Sequence, residues 1–193
     1  MKRMTRVEQI QSQSPETPAT SRRQLIASLI AGGALVAASP VFARSASAAT
    51  ADIPKNDERD NPTLNAALDR ESRMVATYAL AVAATTNEDD KAALLLIHDN
   101  HVAYVDALRG YLATEAQNPS GQPLASPSGS FTDIASLLSG LEDETASIHT
   151  NSLTGLIGIN AASLVASIIT VEARQSAALA LVSGNSALAA ARV

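Results

Sequence analysis

A histidine and a tyrosine interrupt the apolar face of one predicted helix. Six residues recur at alternating steps of three and four, which is the spacing of one helix face: Leu94, Ile97, His101, Tyr104, Leu108 and Tyr111. Burying a polar side chain without a partner costs roughly 2–7 kcal/mol. His101 and Tyr104 therefore need polar partners from other parts of the chain.

Three other stretches each carry a glutamate within an apolar stripe at helical spacing. The two halves of the chain resemble each other. Glu71 with Tyr78 seven residues later matches Glu142 with His149 seven residues later, and His101 with Tyr104 matches Glu172 with Gln175. A helix-pair duplication of this kind brings polar positions to one level of a bundle, which is how carboxylate metal sites are built. The sequence thus predicts a polar site at the centre of four helices.

The third of these stretches has two candidate inward faces. One contains Ala135, Leu138, Glu142, Thr145 and His149. The other contains Ile134, Leu137, Leu141, Glu144 and Ile148. Because the second stripe is the more apolar, periodicity alone favours its burial.

Helix-start and helix-stop residues divide the chain into four long helices. Their predicted spans are 61–86, 87–116, 132–153 and 160–183, with starts at Asn61, Asn87, Thr132 and Asn160. A connection of one or two residues makes the first two helices antiparallel neighbours. Residues 117–130 are rich in Pro, Gly and Ser, which predicts a mobile loop long enough for a crossing connection.

Composition excludes several classes of function. The chain has 193 residues, of which 46% are hydrophobic and 3% aromatic, and it has no Cys, so disulfides and thiolate sites are excluded. Residues 1–48 carry six basic and two acidic side chains, so the rest of the −5 chain carries −9. An acidic domain of this kind predicts no nucleic-acid partner.

The N-terminal residues 1–48 resemble a twin-arginine signal peptide. Arg22 and Arg23 precede a weakly apolar run of about 14 residues, which is shorter than the ~20 needed to span a bilayer. Cleavage is expected after Ala48 rather than Ala43. The leader predicts recognition by the twin-arginine export machinery, a periplasmic or extracellular location, and no stable membrane anchor after cleavage.

Four segments resemble, in order, the helices of the ferritin-like domain family, which includes plant desiccation-related proteins and many exported bacterial proteins. They are Leu64 to Glu71 followed by Tyr78, Ile97 to Leu108, Leu141-Glu142-Asp143, and Ile168 to Gln175. The resemblance implies an all-α, antiparallel, ferritin-like four-helix bundle over residues 61–184. It would follow a flexible lead-in at 49–60 and precede a C-terminal tail at 185–193.

The resemblance also implies a degenerate di-metal site. Ferritin-like di-iron proteins use a Glu from each of two helices and a Glu-x-x-His from each of the other two. The expected carboxylates are matched by Glu71, Glu142 and Glu172, so Glu142 is favoured over Glu144 as the inward residue. His101 stands where a glutamate is expected, and Tyr104 and Gln175 stand where the two imidazoles are expected.

Two interpretations of the site are open. In one, Fe, Mn or Zn is bound by Glu71, His101, Glu142 and Glu172, with Tyr104 and Gln175 around it. In the other, no metal is bound and a protonated His101 neutralises one glutamate. His98, Glu144 and His149 are weaker candidate ligands.

The missing imidazole pair favours a non-catalytic function over an enzyme. The leading hypothesis is an exported structural, stress-related or partner-binding protein, with any homo-oligomer or protein partner unspecified. The alternative is a metal-dependent oxidase or a metal-handling protein, which the retained glutamates support.

Overall fold

Four long helices make up most of the described protein. The computed structural model describes residues 24, 26 and 55–185. The helices are α1 (Asn61–Ala84), α2 (Glu88–Leu112), α3 (Phe131–Leu153) and α4 (Ile159–Val182), with short 3₁₀ helices at Glu58–Asp60 and Ala113–Glu115. The described residues contain no strand. The predicted all-α bundle is confirmed.

The helices pack as two hairpins. α1 lies along α2 and α3 lies along α4, while α1 also touches α3 and α2 touches α4. Every helix contributes fully buried aliphatic side chains, such as Leu68, Ile97, Leu138 and Ile168. Burying such a side chain stabilises the fold by about 1.5–3 kcal/mol, so these stripes hold the four helices around one core.

The turn between α1 and α2 consists of Thr85, Thr86 and Asn87, one residue longer than the upper predicted length. Asn87 caps α2 as predicted: its side chain accepts hydrogen bonds from the backbone N–H groups of Asp89 and Asp90, both at 3.0 Å. The acidic first turn also suits the positive end of the helix dipole. The short turn makes α1 and α2 antiparallel.

The connection from α2 to α3 is bound along α1, although a mobile loop was predicted. α1 presents a polar side chain at every fourth residue, namely Asn65, Asp69, Arg73 and Thr77. Their partners, in the same order, are backbone groups of Gln117, Ser120, Gln122 and Leu124, at 2.7, 2.7, 3.2 and 2.8 Å. The connection therefore follows α1 from near its first residues towards its last ones. As a result α3 starts near the end of α1 and runs parallel to α2.

Two helix starts differ from their predicted positions. α3 is capped by Ser130 and not by Thr132, because the Ser130 hydroxyl accepts from Asp133 N at 3.2 Å and Asp133 Oδ2 accepts from Ser130 N at 2.9 Å. This reciprocal pair is a capping box, which satisfies two backbone donors at once. α4 begins at Ile159, after Gly158, one residue before the predicted start.

Residues 55–60, the described part of the lead-in predicted at 49–60, lie against the start of α4. Buried Asp60 accepts hydrogen bonds from the N–H groups of Ile157 and Gly158, at 2.8 and 2.7 Å. Asn160 N also donates to Lys55 O at 3.0 Å. Asn61, predicted as the cap of α1, is its first residue.

Most of the predicted leader lies outside the described residues, including Arg22, Arg23 and both candidate cleavage positions. Within it, Gln24 and Ile26 are described as helical, and Ile26 is fully buried in the apolar core. Of the predicted tail, only Asn185 is described. Among described helices, α4 alone is long and apolar enough to cross a membrane, but half of its most apolar window is buried, as in a core helix.

Candidate metal centre

Five ionisable side chains meet at the centre of the bundle, and all four helices contribute. They are Glu71 of α1, His101 of α2, Glu142 and His149 of α3, and Glu172 of α4. Each is at most 1% exposed. Because burying an unpaired charge is costly, these groups must satisfy one another or hold an ion.

The orientation of α3 decides which of its polar residues join the centre. Glu142 and His149 are buried, whereas Glu144 is exposed and pairs with Arg70, whose Nη2 lies 3.3 Å from Glu144 Oε2. The family resemblance had favoured Glu142, and the bare periodicity had favoured the stripe of Glu144. The structure follows the resemblance and leaves Ile148 of the rejected stripe exposed.

His101 lies between two carboxylates. Its Nδ1 is 2.7 Å from Glu71 Oε2, and its Nε2 is 3.0 Å from Glu142 Oε1. Burial alone would lower the pKa of His101, but the charges and hydrogen bonds of Glu142 and Glu71 raise it to about 10. The side chain is therefore an imidazolium at neutral pH, with both N–H groups donating.

Two tyrosines surround the His101 ring. The Tyr78 ring is stacked on it at a centroid distance of 5.2 Å, and the Tyr104 ring meets it edge-on at 5.6 Å. The Tyr78 hydroxyl donates to Glu142 Oε1 at 2.5 Å, whereas the buried Tyr104 hydroxyl has no hydrogen-bonding partner in the part of the chain that the structure describes. Burial and the Glu142 charge raise the pKa of Tyr78 well above its ordinary value, so its hydroxyl remains a donor.

A second group, formed by Glu71, His149 and Glu172, lies on the other side of the Glu71 carboxylate. His149 Nε2 is 2.7 Å from Glu71 Oε1 and 3.7 Å from Glu172 Oε1. One ligand atom from each of the three residues lies within 4.8 Å of the others. The two carboxylates and one imidazole come from α1, α3 and α4, and we call them the three-residue group.

With the glutamates ionised, several buried polar atoms at the centre have no hydrogen-bonding partner among the described residues. They are both carboxylate oxygens of Glu172, both amide atoms of Gln175, and Oε2 of Glu142. Burial, the nearby charges of Glu71 and Glu142, and a hydrogen bond that the protonated side chain donates to Glu71 raise the pKa of Glu172 to about 11. Without a cation, Glu172 is therefore protonated at neutral pH.

The pKa of Glu71 is shifted in the opposite direction to that of Glu172. Burial would raise its pKa, but the hydrogen bonds and charges of His101 and His149 lower it to about 2. Glu71 is therefore an anion in the folded protein and offers one oxygen to each side of the centre. Oxygen and imidazole donors of this kind suit Fe, Mn or Zn, so the three-residue group, with its unpartnered Glu172 carboxylate, fits one such ion.

The sequence-predicted site residues are placed in different parts of the centre. Glu71, His101, Glu142 and Glu172 are brought together, but the ligand atoms that converge are those of the three-residue group. His149, a weaker candidate from the sequence, replaces His101 and Glu142 in that group. Tyr104 and Gln175 are buried, while His98 lies outside the centre, with Nδ1 3.0 Å from Asp99 Oδ1.

Tyr78 was predicted only as a core residue, although it orients Glu142. The available signal was its position on the stripe of Glu71, two helical turns away. That position placed its ring in the core, but the partner of its hydroxyl depends on how α1 is rotated against α3.

Comparison with known proteins agrees with this architecture. The model of the ferritin-like domain family matches residues 59–185, which is most of the chain. The chain therefore belongs to the ferritin-like domain family. Searches of curated proteins and of solved structures gave no significant match.

Proposed function

We propose that this protein is an exported, non-catalytic ferritin-like protein that binds one divalent metal ion through Glu71, His149 and Glu172. The observation that carries the proposal is the convergence of their ligand atoms within 4.8 Å, at a buried position where no described residue donates a hydrogen bond to the Glu172 carboxylate. A cation would be the partner of the ionised Glu172 carboxylate, in place of the proton that this group holds without metal. Fe, Mn and Zn all accept this donor set.

Each ligand is supplied by a different helix. Glu71 offers Oε1 and His149 offers Nε2, which already face each other at 2.7 Å, and Glu172 faces both from α4. A bound divalent ion supplies positive charge for the ionised form of Glu172 and links the two helical hairpins. The expected consequence is a folded state that is more stable with metal than without it.

A non-catalytic role is supported by the residues at the remaining family positions. Tyr104 and Gln175 stand where the second and fourth helices of a di-iron protein carry imidazoles, and His101 stands where the second carries a glutamate. These residues differ from the Glu and His ligands that di-iron members of the family use at the same positions. We therefore infer a structural or metal-handling role rather than an oxidase.

Export and a stress-related role are the finer parts of the proposal. Arg22 and Arg23, followed by the short apolar run, support the twin-arginine route, which carries folded proteins. The bundle would then acquire its metal in the cytoplasm and function in the periplasm or outside the cell. The stress-related role is supported by the resemblance to desiccation-related members of the family.

Elemental analysis tests the metal site. Protein purified without chelator is expected to hold about one Fe, Mn or Zn per chain, and Glu172→Gln or His149→Gln is expected to lose it. The matched controls are Glu144→Gln and His98→Gln, since they make the same two substitutions at a glutamate and a histidine outside the centre. Control variants that lose metal to the same extent would contradict the assignment.

The second candidate is a metal-free structural cluster. It is favoured by the contacts of His101, which already pair Glu71 with Glu142 without an ion. In that case Glu172 remains protonated and the cluster only fixes the positions of the helices. Wild-type protein that holds no metal, and whose unfolding temperature does not rise with Fe²⁺, Mn²⁺ or Zn²⁺, would support this candidate over the metal site.

A further inference from the structure

We propose that the Arg70 side chain closes the path between α1 and α3 by which a divalent ion enters and leaves the three-residue group. The inference rests on the proposed metal binding by that group. Arg70 is not a ligand in this proposal, and it acts by blocking the path. Together with its two contacts on α3, Thr145 and Glu144, we call it the Arg70 gate.

The three-residue group lies beside the seam between α1 and α3. Two of its members, Glu71 and His149, come from these helices, and their side chains are 2.7 Å apart. α1 packs mainly along α2, and α3 packs mainly along α4, so α1 and α3 touch less extensively. An ion that passes along this seam therefore does not have to separate the helices of either hairpin.

The Arg70 side chain spans this seam from the buried interior to the surface. Its Nε donates to Thr145 Oγ1 at 2.8 Å, and Thr145 is fully buried on α3, one helical turn before His149. Its Nη2 lies 3.3 Å from Glu144 Oε2. The side chain of Glu144 is 58% exposed and that of Arg70 only 13%. The guanidinium therefore lies between solvent and the inward face of α3.

The charge of Arg70 also opposes the passage of a cation. Arg70 directly precedes Glu71 on α1, so the guanidinium is attached to the same helical turn as a ligand of the group. An arginine stays charged at any pH at which the protein is folded. Like charges repel each other more strongly where water is excluded. In the closed position Arg70 therefore blocks the seam by its volume and by its charge.

The outer contact of the gate is weak enough for the gate to open. The two Arg70–Glu144 contacts are long, at 3.3 and 3.5 Å, and ion pairs with an exposed partner contribute little to stability. Arg70 Nη2 makes no hydrogen bond with any described residue. Side-chain rotation near the surface is fast compared with movement of whole helices. Arg70 can therefore move outwards while the bundle stays packed.

The rates of metal binding and release test the gate. Chelator-treated protein is mixed with Zn²⁺ in a stopped-flow instrument while a fluorescent indicator reports free Zn²⁺, and release is followed after loaded protein meets excess chelator. We expect Glu144→Gln to raise both rates by about two- to fivefold, because Arg70 loses its outer partner. Arg70→Ala should raise both rates by on the order of tenfold. The number of ions bound at saturation should not change, since every ligand is kept.

The comparison of both rates in both variants separates a gate from a simple effect of charge. Without a gate, removal of the positive charge of Arg70 would speed binding and slow release. Removal of the negative charge of Glu144 would slow binding and speed release. Only an obstacle in the path predicts that both substitutions raise both rates.

Arg73→Ala and Glu88→Gln are the matched controls. Arg73 lies on α1 but donates to Gln122 O in the connection between α2 and α3, at 3.2 Å, and Glu88 forms an ion pair with Lys91, at 2.9 Å, at the start of α2. Both controls should keep the wild-type rates. Circular dichroism checks the folding of each variant, and Arg70→Met, which keeps a long side chain without the guanidinium, is used if Arg70→Ala does not fold.

The outcomes separate this inference from the proposed function. Wild-type rates in Glu144→Gln, the opposite changes expected from charge alone, or equal increases in the controls would overturn the gate and leave the metal site standing. If the wild type binds Mn²⁺ or Fe²⁺ in place of Zn²⁺, the same rates are measured with that ion. Wild-type protein that binds none of the three would contradict the proposed function and the gate together.

Discussion

The hydroxyl groups of Tyr78 and Tyr104 provide a matched pair at the residue scale. Both rings contact His101, but of the two hydroxyl groups only that of Tyr78 has a hydrogen-bonding partner among the described residues, namely Glu142. Tyr78→Phe is expected to lower the free energy of unfolding by about 1–3 kcal/mol, because it leaves a buried carboxylate oxygen with one donor fewer. Tyr104→Phe is expected to change it by less than about 0.5 kcal/mol.

Urea unfolding of the two variants, analysed with the same m-value for both, measures this difference in the free energy of unfolding. Equal losses in both variants would mean that the Tyr78 hydroxyl does not stabilise Glu142 through its hydrogen bond.

Stability of the metal-free protein should fall as the pH rises above 6.5. The folded state raises the pKa of His101 from 6.5 to about 10 and that of Glu172 from 4.5 to about 11, so it holds more protons than the unfolded chain in this range. For each additional proton that the folded state holds, the free energy of unfolding falls by on the order of 1 kcal/mol per unit of pH increase. Glu71 acts in the opposite range: its contribution is present above about pH 4.5 and is lost as the pH falls towards 2.

Thermal unfolding between pH 6.5 and 9 in the presence of chelator measures this dependence. We expect the unfolding temperature to decrease across the range, and to decrease less steeply in His101→Gln than in the surface control His98→Gln. A constant or rising unfolding temperature in the wild type would be inconsistent with the buried proton-binding groups described here.

At the element scale, the connection between α2 and α3 depends on Asn65. Its amide accepts from Gln117 N at 2.7 Å and donates to Glu115 O at 3.0 Å. Asn65→Ala should lower the free energy of unfolding by about 1–3 kcal/mol, because the loop loses partners for two backbone groups. Exposed Asn118→Ala, in the same loop, should be close to neutral.

Limited proteolysis and urea unfolding of the two variants are the measurements. Faster cleavage within residues 116–130 of Asn65→Ala alone is the expected result. Cleavage at the wild-type rate would show that the loop is held by other contacts.

The number of helices and their approximate limits could be predicted from the sequence, but the path of this loop could not. Its Pro, Gly and Ser residues indicate the absence of regular structure, which is correct. They carry no information on where the backbone groups find partners. Those partners are polar residues at every fourth position of α1, more than forty residues earlier, and only the packed bundle brings them together.

Most of the residues that meet at the centre could be predicted from the sequence, but which of their ligand atoms converge could not. Buried glutamates within apolar stripes identified Glu71 and Glu172, and the resemblance selected Glu142 where hydrophobic periodicity favoured Glu144. Periodicity failed on α3 because the inward face carries polar residues, including His149, and the exposed face carries Ile148. The contact between His149 and Glu71 depends on the rotation of two helices about their axes, which a residue pattern does not fix.

For the whole molecule, the leader gives a prediction about location. Under the proposed twin-arginine export, Arg22→Lys with Arg23→Lys should leave an unprocessed precursor in the cytoplasm, because the export machinery would no longer recognise the leader. Arg3→Lys with Arg6→Lys, elsewhere in the leader, should be exported and cleaved after Ala48 like the wild type. Cell fractionation and N-terminal sequencing measure both; normal export of the first variant would contradict the twin-arginine assignment.

The most direct test of the central claim is a crystal structure of the metal-loaded protein with anomalous diffraction at the metal edge. The account predicts one anomalous peak per chain, located among Glu71, His149 and Glu172, and none between Glu71 and Glu142, where His101 lies. Two peaks at the centre, a single peak bound by His101 and Glu142, or no peak in metal-saturated crystals would contradict it.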